Sequence, residues 1–279
     1  MARVEVASES GACYGVERAL DLVERVTREA TGPVHTLGPL IHNPSVVSAL
    51  EEAGVTVVED PSEAAPGATL VLRTHGVAPE VERAACDAGL AVSDATCPFV
   101  TRVHRLAEKL AAEGYQVMIV GEEGHPEVEG TRGHVPDAPV VLSANDIDAL
   151  EVSRRVALVV QTTLAVDALR NVVSALVGRC DELLVCNTIC DATSKRQGAA
   201  AELADRADVM IVVGGRNSAN TNHLADICRS RVTTHHVESL AEVDPAWFAG
   251  AELVGITAGA STPRSQVEEM RAHVTRLCG

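Results

Sequence analysis

Apolar and polar residues alternate along the chain in two rhythms, which predict strands and helices in turn. Short apolar segments, read as strands or loops, precede three of the cysteines: RVEVAS, LAVSDAT and ELLVCNTI. After two of these cysteines, apolar residues recur at helical spacing: Val16, Ala19, Leu20, Val23 and Val26, then Val100, Val103, Leu106 and Leu110. Pro98 suits the first turn of a helix. The pattern predicts that Cys13, Cys97 and Cys190 lie at helix N-termini.

The same order of features then occurs three times. A polar loop follows each of these cysteines after 28 or 29 residues, centred on His42, His125 and Ser218. Further on, an apolar strand ends in small polar residues that include His75, Thr162 and Ser261. The repetition predicts an α/β protein of three similar units with functional groups at strand ends. The predicted units are residues 13–96, residues 97–189, and residues 190–279 together with 1–12.

Composition narrows the classes of protein that fit. Hydrophobic residues make up 46% of the chain and charged residues 22%, as in globular proteins with a sizeable core. No apolar run reaches the ~18 residues that span a bilayer, and the N-terminal stretch is not a secretory signal. We therefore expect a cytoplasmic protein without a membrane partner. The net charge of −16 and the lack of a basic block argue against nucleic-acid binding.

Eight cysteines are many for a protein of a reducing compartment, where metal-binding, catalytic or buried thiols are commoner than disulfides. No C-x-x-C pair is present, so the usual zinc ribbons find no support. Thiolates at helix N-termini are stabilised by the helix dipole. Three separate cysteines from three units suit a [4Fe-4S] cluster with one open iron. Cys86 and Cys228 lie in helix-like stretches and are predicted to be buried core residues.

The polar loops would then line a substrate cavity with neutral or switchable donors: His42, His75, His125, Thr162, Ser218, Asn220 and Ser261. Such a set matches an anionic group such as a phosphate, and helix N-termini add backbone donors. There is no P-loop, so nucleotide binding is unsupported. Glu127 has two interpretations: a carboxyl beside an anionic cluster, with a raised pKa that suits a proton donor, or part of a solvated acidic loop. Seven further histidines, His104 and His134 among them, fit no repeat position and are interpreted as surface or ordinary core residues.

Taken together, the motifs resemble those of the LytB family of 4-hydroxy-3-methylbut-2-enyl diphosphate reductases. The matching stretches, in the family's order from residue 11 to 261, are GACYGVERA, LGPLIHNP, THGV, DATCPFV, GHPEVEG, QTTL, ICDATSKRQ, GGRNSANTN and TAGAS. The resemblance implies a trefoil of three pseudo-symmetric α/β units around a central iron–sulfur cluster. It also implies the last step of the non-mevalonate isoprenoid pathway, in which an allylic diphosphate loses its hydroxyl with two electrons and two protons. The products are isopentenyl and dimethylallyl diphosphate.

The resemblance also assigns roles to residues. It implies that Cys13, Cys97 and Cys190 ligate the cluster and that the substrate hydroxyl binds the open iron. Glu127 would supply the proton and Thr162 would position the hydroxyl and the proton path. The diphosphate would be held by the polar loops: His42, His75, His125, Ser218, Ala219, Asn220 and Ser261.

One position departs from the family pattern. The loop is commonly N-S-S-N in the family, and here Ala219 replaces the second serine. The backbone N–H remains but one hydroxyl is lost, and because a net hydrogen bond contributes about 0.5–1.5 kcal/mol, affinity for the diphosphate should fall severalfold.

Other functions share some of these residues. An open-iron hydro-lyase would use the same ligands without a reductant, and a zinc hydrolase would be colourless and iron-free. An iron–sulfur redox sensor would need a basic or exposed apolar partner surface, which is not evident in the sequence. For the reductase, the family implies a ferredoxin or flavodoxin as electron donor, and the chain would be a monomer or homodimer.

Overall fold

The structure is a computed structural model that describes residues 2–279. Its strands, in chain order, are β1 (Arg3–Val6), β2 (Val34–Leu37), β3 (Val55–Val58), β4 (Thr69–Leu72), β5 (Ala91–Asp94), β6 (Gln116–Val120), β7 (Val140–Val141), β8 (Arg155–Val160), β9 (Glu182–Val185), β10 (Val209–Val213), β11 (Thr234–Val237) and β12 (Leu253–Ala258). Its α-helices are α1 (Tyr14–Glu29), α2 (Pro44–Glu52), α3 (Pro79–Asp87), α4 (Pro98–Ala112), α5 (Pro126–His134), α6 (Ala144–Asp148), α7 (Val166–Leu176), α8 (Asp191–Ala204), α9 (Ala219–Arg229) and α10 (Arg264–Leu277). Strands and helices alternate, as the apolar rhythm predicts.

The first compact unit comprises the chain up to Val16, the segment His42–Val46 and the segment Asp191–Gly279. Its sheet has the order β1-β12-β10-β11, and all neighbouring strands are parallel. Helices α8 and α9 pack on this sheet, and α10 packs against β1 and β12. The two central strands, β10 and β12, are buried along their whole length because helices cover the sheet.

The second compact unit comprises Glu17–Ile41 and Val47–Cys190, and it contains two sheets. One has the order β3-β2-β4-β5 and the other the order β7-β6-β8-β9, again with parallel pairing throughout. Helix α4 packs against β6 and β8, while α3 packs against β5. Valine, leucine, isoleucine and alanine make up most of the cores of this unit, in keeping with an aromatic content of only 2%.

The three sheets share one strand order. In each, an edge strand (β1, β5 or β9) leads into a predicted ligand cysteine. This edge strand pairs with a central strand (β12, β4 or β8, respectively). Each sheet draws all its strands from one of the three predicted ranges, and β1 joins strands that lie more than two hundred residues later. The predicted α/β class with three similar layers is confirmed, while the boundaries of the units stay a prediction.

The cysteines differ in their burial. None of the eight cysteines forms a disulfide within residues 2–279. Cys228 is buried as predicted, but Cys86 is exposed, so that prediction is wrong. The buried position on α3 is its neighbour Ala85, and one residue turns a helix by about 100°.

Within residues 2–279, no helix combines the length and the apolar character that crossing a membrane would need.

Candidate functional site

The predicted polar loops occupy equivalent places in the three sheets. His42, His125 and Ser218 each lie five residues beyond the end of a central strand, β2, β6 or β10. Each also stands at the start of a helix, because α2, α5 and α9 begin directly after these loops. Parallel strands direct their carboxyl ends to one edge of a sheet, where the N-termini of the following helices offer unpaired N–H groups. This placement suits the binding of an anion.

The three predicted ligand cysteines have equivalent backbone bonds. Each cysteine amide donates to the carbonyl two residues beyond the other central strand: Cys13 to Ala260 (3.1 Å), Cys97 to Thr74 (2.9 Å) and Cys190 to Thr162 (2.9 Å). A helix starts directly after each cysteine, as predicted. The accepting residues Thr74, Thr162 and Ala260 are therefore equivalent. His75 and Ser261 follow two of them, so their counterpart in the middle repeat is Thr163, one residue later than the sequence predicts.

These three cysteines are half-buried, and none of them forms a disulfide among the described residues. Cys13 belongs to the first compact unit, and Cys97 and Cys190 belong to the second. Soft thiolate donors at three helix starts fit an iron–sulfur cluster chemically. Among residues 2–279, no three His, Cys, Asp or Glu side chains are arranged to hold one metal ion. A [4Fe-4S] cluster would not require the three thiols to converge on one ion, because each thiolate binds a different iron atom.

Glu127 is held against the end of strand β8. It lies in the first turn of α5 and is only 2% exposed. The Thr162 backbone N–H donates to Glu127 Oε1 at 2.5 Å, and the Thr162 hydroxyl donates to Oε2 at 2.8 Å. The carboxyl group is therefore fixed at both oxygens by one residue, which itself accepts the amide of Cys190.

Burial raises the pKa of Glu127 to about 7, and the two hydrogen bonds from Thr162 oppose this rise. The direction agrees with the sequence prediction, although the cause in this structure is burial rather than a neighbouring anion. The neighbouring acids differ, since Glu123 is exposed and Glu129 pairs with Arg132 at 2.5 Å. The solvated-loop interpretation therefore fails for Glu127.

His125 caps the helix that carries Glu127. Its Nδ1 accepts the backbone N–H of Glu127 at 3.1 Å, so the proton of the neutral imidazole is on Nε2. The His75 ring meets the His125 ring edge-on, with centroids 5.7 Å apart. The second unit thus brings together His75, His125, Glu127 and Thr162.

The first unit brings together the remaining loops. The Ser261 hydroxyl donates to the His42 carbonyl at 3.0 Å. Asn43 is 2% exposed, and its amide donates to the Ser261 carbonyl at 3.0 Å and to Gln266 at 3.1 Å. Its Oδ1 caps α2 by accepting the N–H of Ser45 at 3.1 Å. Asn43 was missed from sequence, although an asparagine directly before Pro44 is a signal of a helix cap.

The loop at the start of α9 provides the other donors of this unit. The Ser218 hydroxyl caps α9 by accepting the N–H of Thr221 at 3.4 Å. Asn220 is 3% exposed, yet neither atom of its side-chain amide has a hydrogen-bond partner among residues 2–279. Ala219 is also buried, at the first position of the helix. A buried unpaired amide is costly unless a ligand satisfies it, so Asn220 indicates a binding position.

A second feature that sequence reasoning missed supports the loop that carries His75. Gly76 has a φ of +71°, and a Cβ there would lie 2.6 Å from Cε1 of His104. His104 is 4% exposed and stacks on His134 with centroids 4.2 Å apart. Gly130 of α5 in turn approaches the Gly76 carbonyl, where a Cβ would lie at 3.2 Å. The loop is therefore packed between α4 and α5 at contact distance.

Comparison with known proteins supports one family throughout. The family model described as LytB protein matches residues 4–275. The chain is 45% identical over 277 residues to the 4-hydroxy-3-methylbut-2-enyl diphosphate reductase of Geobacter sp. (strain M21), covering 99% of this chain and 98% of the relative. It is 41% identical over 283 residues to the protein of the same name from Aquifex aeolicus, covering 100% and 98%.

Solved structures agree with these relatives. The E-1-hydroxy-2-methyl-but-2-enyl-4-diphosphate reductase of Plasmodium falciparum superposes with a TM-score of 0.93 at 28% identity, covering 98% of this chain and 87% of that one. A second structure, described as (E)-4-hydroxy-3-methyl-but-2-enyl diphosphate reductase, the terminal enzyme of the non-mevalonate pathway, has a TM-score of 0.74 at 42% identity. That match covers 99% of this chain and all of the other.

Proposed function

The chain belongs to the LytB family, and on this premise we propose that it reduces 4-hydroxy-3-methylbut-2-enyl diphosphate in the non-mevalonate pathway. In balanced form, the substrate R–OH takes up two electrons and two protons and gives R–H and water. The five-carbon products would be isopentenyl and dimethylallyl diphosphate. The observation that carries the proposal is the buried Glu127 carboxyl clamped by Thr162, since the hydroxyl needs a proton in order to leave as water.

Glu127 and Thr162 form a relay whose direction follows from their hydrogen bonds. Oε1 must accept the Thr162 N–H, so a proton on the neutral carboxyl sits on Oε2. Oε2 then donates to the Thr162 hydroxyl instead of accepting from it. The Thr162 hydroxyl in turn becomes free to donate to the departing substrate oxygen. With a pKa of about 7, Glu127 is protonated in a large fraction of molecules near neutral pH, as a general acid requires.

The diphosphate would be held by neutral donors rather than by cations. His125 offers the N–H on Nε2, because its Nδ1 is occupied by the Glu127 amide. Asn220 offers a buried amide with no other partner among the described residues. His42, His75, Ser218 and Ser261 would complete the set, with the backbone N–H of Ala219 in place of the missing hydroxyl. Helix N-termini at α2, α5 and α9 favour an anion at the loops that carry these groups.

Cys13, Cys97 and Cys190 would hold a [4Fe-4S] cluster. When bound, such a cluster supplies the electrons and one iron with an open coordination position. The chain's part is to present three thiolates from helix starts whose backbone is fixed to the sheets. The electrons would come from a small carrier protein, a ferredoxin or flavodoxin.

An anaerobic turnover assay tests this function. The cluster-loaded protein would be reduced with dithionite and a viologen mediator, given the hydroxylated allylic diphosphate, and analysed for five-carbon diphosphate products. Wild type should turn over. Glu127→Gln should lose at least a hundredfold in rate, and Cys97→Ser should lose activity together with cluster content.

A matched control lies in the same helix turn. Glu129→Gln removes a partly exposed carboxylate that pairs with Arg132 rather than with Thr162, and it should leave the rate within about twofold of wild type. No product from a protein with an intact four-iron cluster would overturn the reductase and favour the hydro-lyase. Equal losses in Glu127→Gln and Glu129→Gln would remove the special role of Glu127.

A further inference from the structure

The solvent-facing side of α4 carries an unusual group of side chains. Phe99 is 43% exposed, and Arg102 and Arg105 follow it at intervals of three residues. Lys109 continues the same side, with a side chain that is 69% exposed. At 3.6 residues per turn the three cations fall within about 60° of one another. We call Phe99, Arg102, Arg105 and Lys109 the α4 stripe.

The arginines of the α4 stripe lack the acid partners that several arginines on other helices have. Arg170, Arg229 and Arg271 each pair with a carboxylate three residues earlier in their helices. The residue three positions before Arg102 is Phe99, and the residue three positions before Arg105 is Arg102. Neither guanidinium forms an ion pair in the part of the chain that the structure describes.

The acidic residues of the same helix do not neutralise these arginines. The first turn of α4 contains no acid. Glu108 accepts a hydrogen bond from His134 at 2.7 Å and so turns towards α5. Glu113, beyond the helix end, pairs with Lys109 at 3.7 Å. The positive charge is therefore concentrated on the first two turns, at the end that starts from Cys97.

A neighbouring helix adds one further cation to that end. Arg18 of α1 donates to the carbonyl of Thr96 at 3.2 Å, directly before Cys97. Arg18, Arg102 and Arg105 thus lie near the start of α4, which directly follows the predicted cluster ligand Cys97. By helical rise, Phe99 and Arg105 are only about 9 Å apart along the axis. The charge of these side chains is opposite in sign to the net charge of −16.

The proposed reaction requires a partner that donates electrons. Each turnover consumes two electrons, so a one-electron carrier must dock twice per turnover. A chain of strongly negative net charge repels an acidic carrier unless a local positive surface guides it. An exposed aromatic ring among cations is also typical of interface centres.

We propose that the α4 stripe is the docking surface for an acidic one-electron carrier protein of the iron–sulfur or flavin type. The assignment rests on the proposed reductase function. It gives the electrons an entry point at the helix that starts from Cys97. It also supplies the partner surface that is not evident in the sequence. The three cations are three or four residues apart, so they form no contiguous basic block in the sequence.

The test compares two reductants on the cluster-loaded protein. The double variant Arg102→Glu/Arg105→Glu reverses the charge of the stripe. With a small acidic ferredoxin as donor, we expect the second-order rate of cluster reduction, followed by stopped-flow absorbance, to fall at least tenfold at low ionic strength. The difference should shrink as salt is added. With reduced methyl viologen, product formation should stay within about twofold of wild type or rise.

The matched control is Arg83→Glu/Arg170→Glu, which makes the same change of net charge on α3 and α7. It should leave the ferredoxin rate within about twofold of wild type. Calorimetric titration with oxidised ferredoxin gives a readout without turnover, and the stripe variant should bind at least tenfold more weakly than the control.

Two results would overturn the assignment: equal loss of ferredoxin rate in both double variants, or an unchanged rate in the stripe variant. Failure of wild type with viologen as well as ferredoxin would instead overturn the proposed function. If the stripe variant keeps its rate with viologen but loses its rate with ferredoxin, the docking surface is supported and the reductase function is intact.

Discussion

The hydroxyl of Thr162 should set the pH at which the enzyme loses activity. As a general acid, Glu127 must be protonated, so kcat/KM should be level below its pKa and fall above it. Burial raises that pKa to about 7 and the Thr162 hydroxyl holds it down. Thr162→Val removes the hydroxyl, keeps the backbone N–H and nearly preserves the volume. The falling limb of the pH profile should therefore move to higher pH.

The size of the shift follows from the hydrogen bond at 2.8 Å. A hydrogen bond to a charged group contributes about 1.5–3 kcal/mol, and about 1.4 kcal/mol corresponds to one pKa unit. Part of this is offset, because the protonated carboxyl also bonds to the hydroxyl. We therefore expect a rise of about one unit, to a pKa of about 8. At pH 8 wild type should retain about one tenth of its maximal kcat/KM, and Thr162→Val about one half of its own, lower maximum.

The assay measures kcat/KM between pH 6 and 9 with reduced viologen, holding the mediator at a constant driving force for each pH. Thr162→Ser is the matched control, because it keeps a hydroxyl and should keep the limb near pH 7. The position of the limb is the decisive quantity, since a loss of maximal rate alone could come from poor substrate positioning.

Two outcomes would refute this reasoning. A limb for Thr162→Val at the wild-type pH, or below it, would show that the hydroxyl does not stabilise the Glu127 carboxylate. A limb that persists unchanged in the residual activity of Glu127→Gln would show that another group titrates.

Three further predictions concern the same residues and their supports. The free energy of unfolding of Glu127→Gln, relative to that of wild type, should increase by about 3 kcal/mol as the pH rises from about 4.5 to above 7. In this window the Glu127 carboxyl of wild type loses its proton in the unfolded chain but keeps it in the folded protein, which destabilises wild type only. A difference in urea midpoints that does not change with pH would contradict this. Gly76→Ala places a methyl group against His104 and a left-handed φ on alanine, so thermal unfolding should show a loss of about 2 kcal/mol or more, part of which His104→Ala recovers in the double variant; strict additivity would argue against the contact. Asn220→Ala should raise KM for the diphosphate tenfold or more with little change in melting temperature, because its amide has no protein partner among residues 2–279; loss of stability with normal KM would reverse the interpretation.

The fold was largely predictable because its signal is periodic. Short apolar runs with polar ends, alternating with helical spacing, identified the strands and helices, and the three recurring cysteines indicated the repeat. The pairing of β1 with β12 could be suspected only from that repeat, since residues so distant in sequence leave no local signal. The exposure of Cys86 was missed because one residue of error in helix phase exchanges the buried and exposed faces.

The site was less predictable, since its behaviour depends on three-dimensional environment. The type and order of residues indicated a carboxyl near polar loops, but only burial separates Glu127 from the solvated Glu123. Asn43 was overlooked because an asparagine at a helix start has an ordinary capping role, and its contact with Ser261 spans 218 positions. His104 fitted no repeat, and its packing against Gly76 is a tertiary contact without a sequence pattern.

The uncharged character of most predicted donors agrees with the proton-donor role proposed for Glu127. A cation close to a carboxyl lowers its pKa by stabilising the carboxylate, whereas dipolar donors affect it less. His125 caps the helix of Glu127 through Nδ1, and a permanently charged arginine in its place would bind a diphosphate more strongly. It would also stabilise the Glu127 carboxylate and so oppose the proposed proton transfer. If the proposed roles hold, N–H dipoles would hold the anion without lowering the pKa of Glu127 as much as cations would. The free guanidinium groups of the α4 stripe lie on the solvent face of a helix, where they can act on a partner protein.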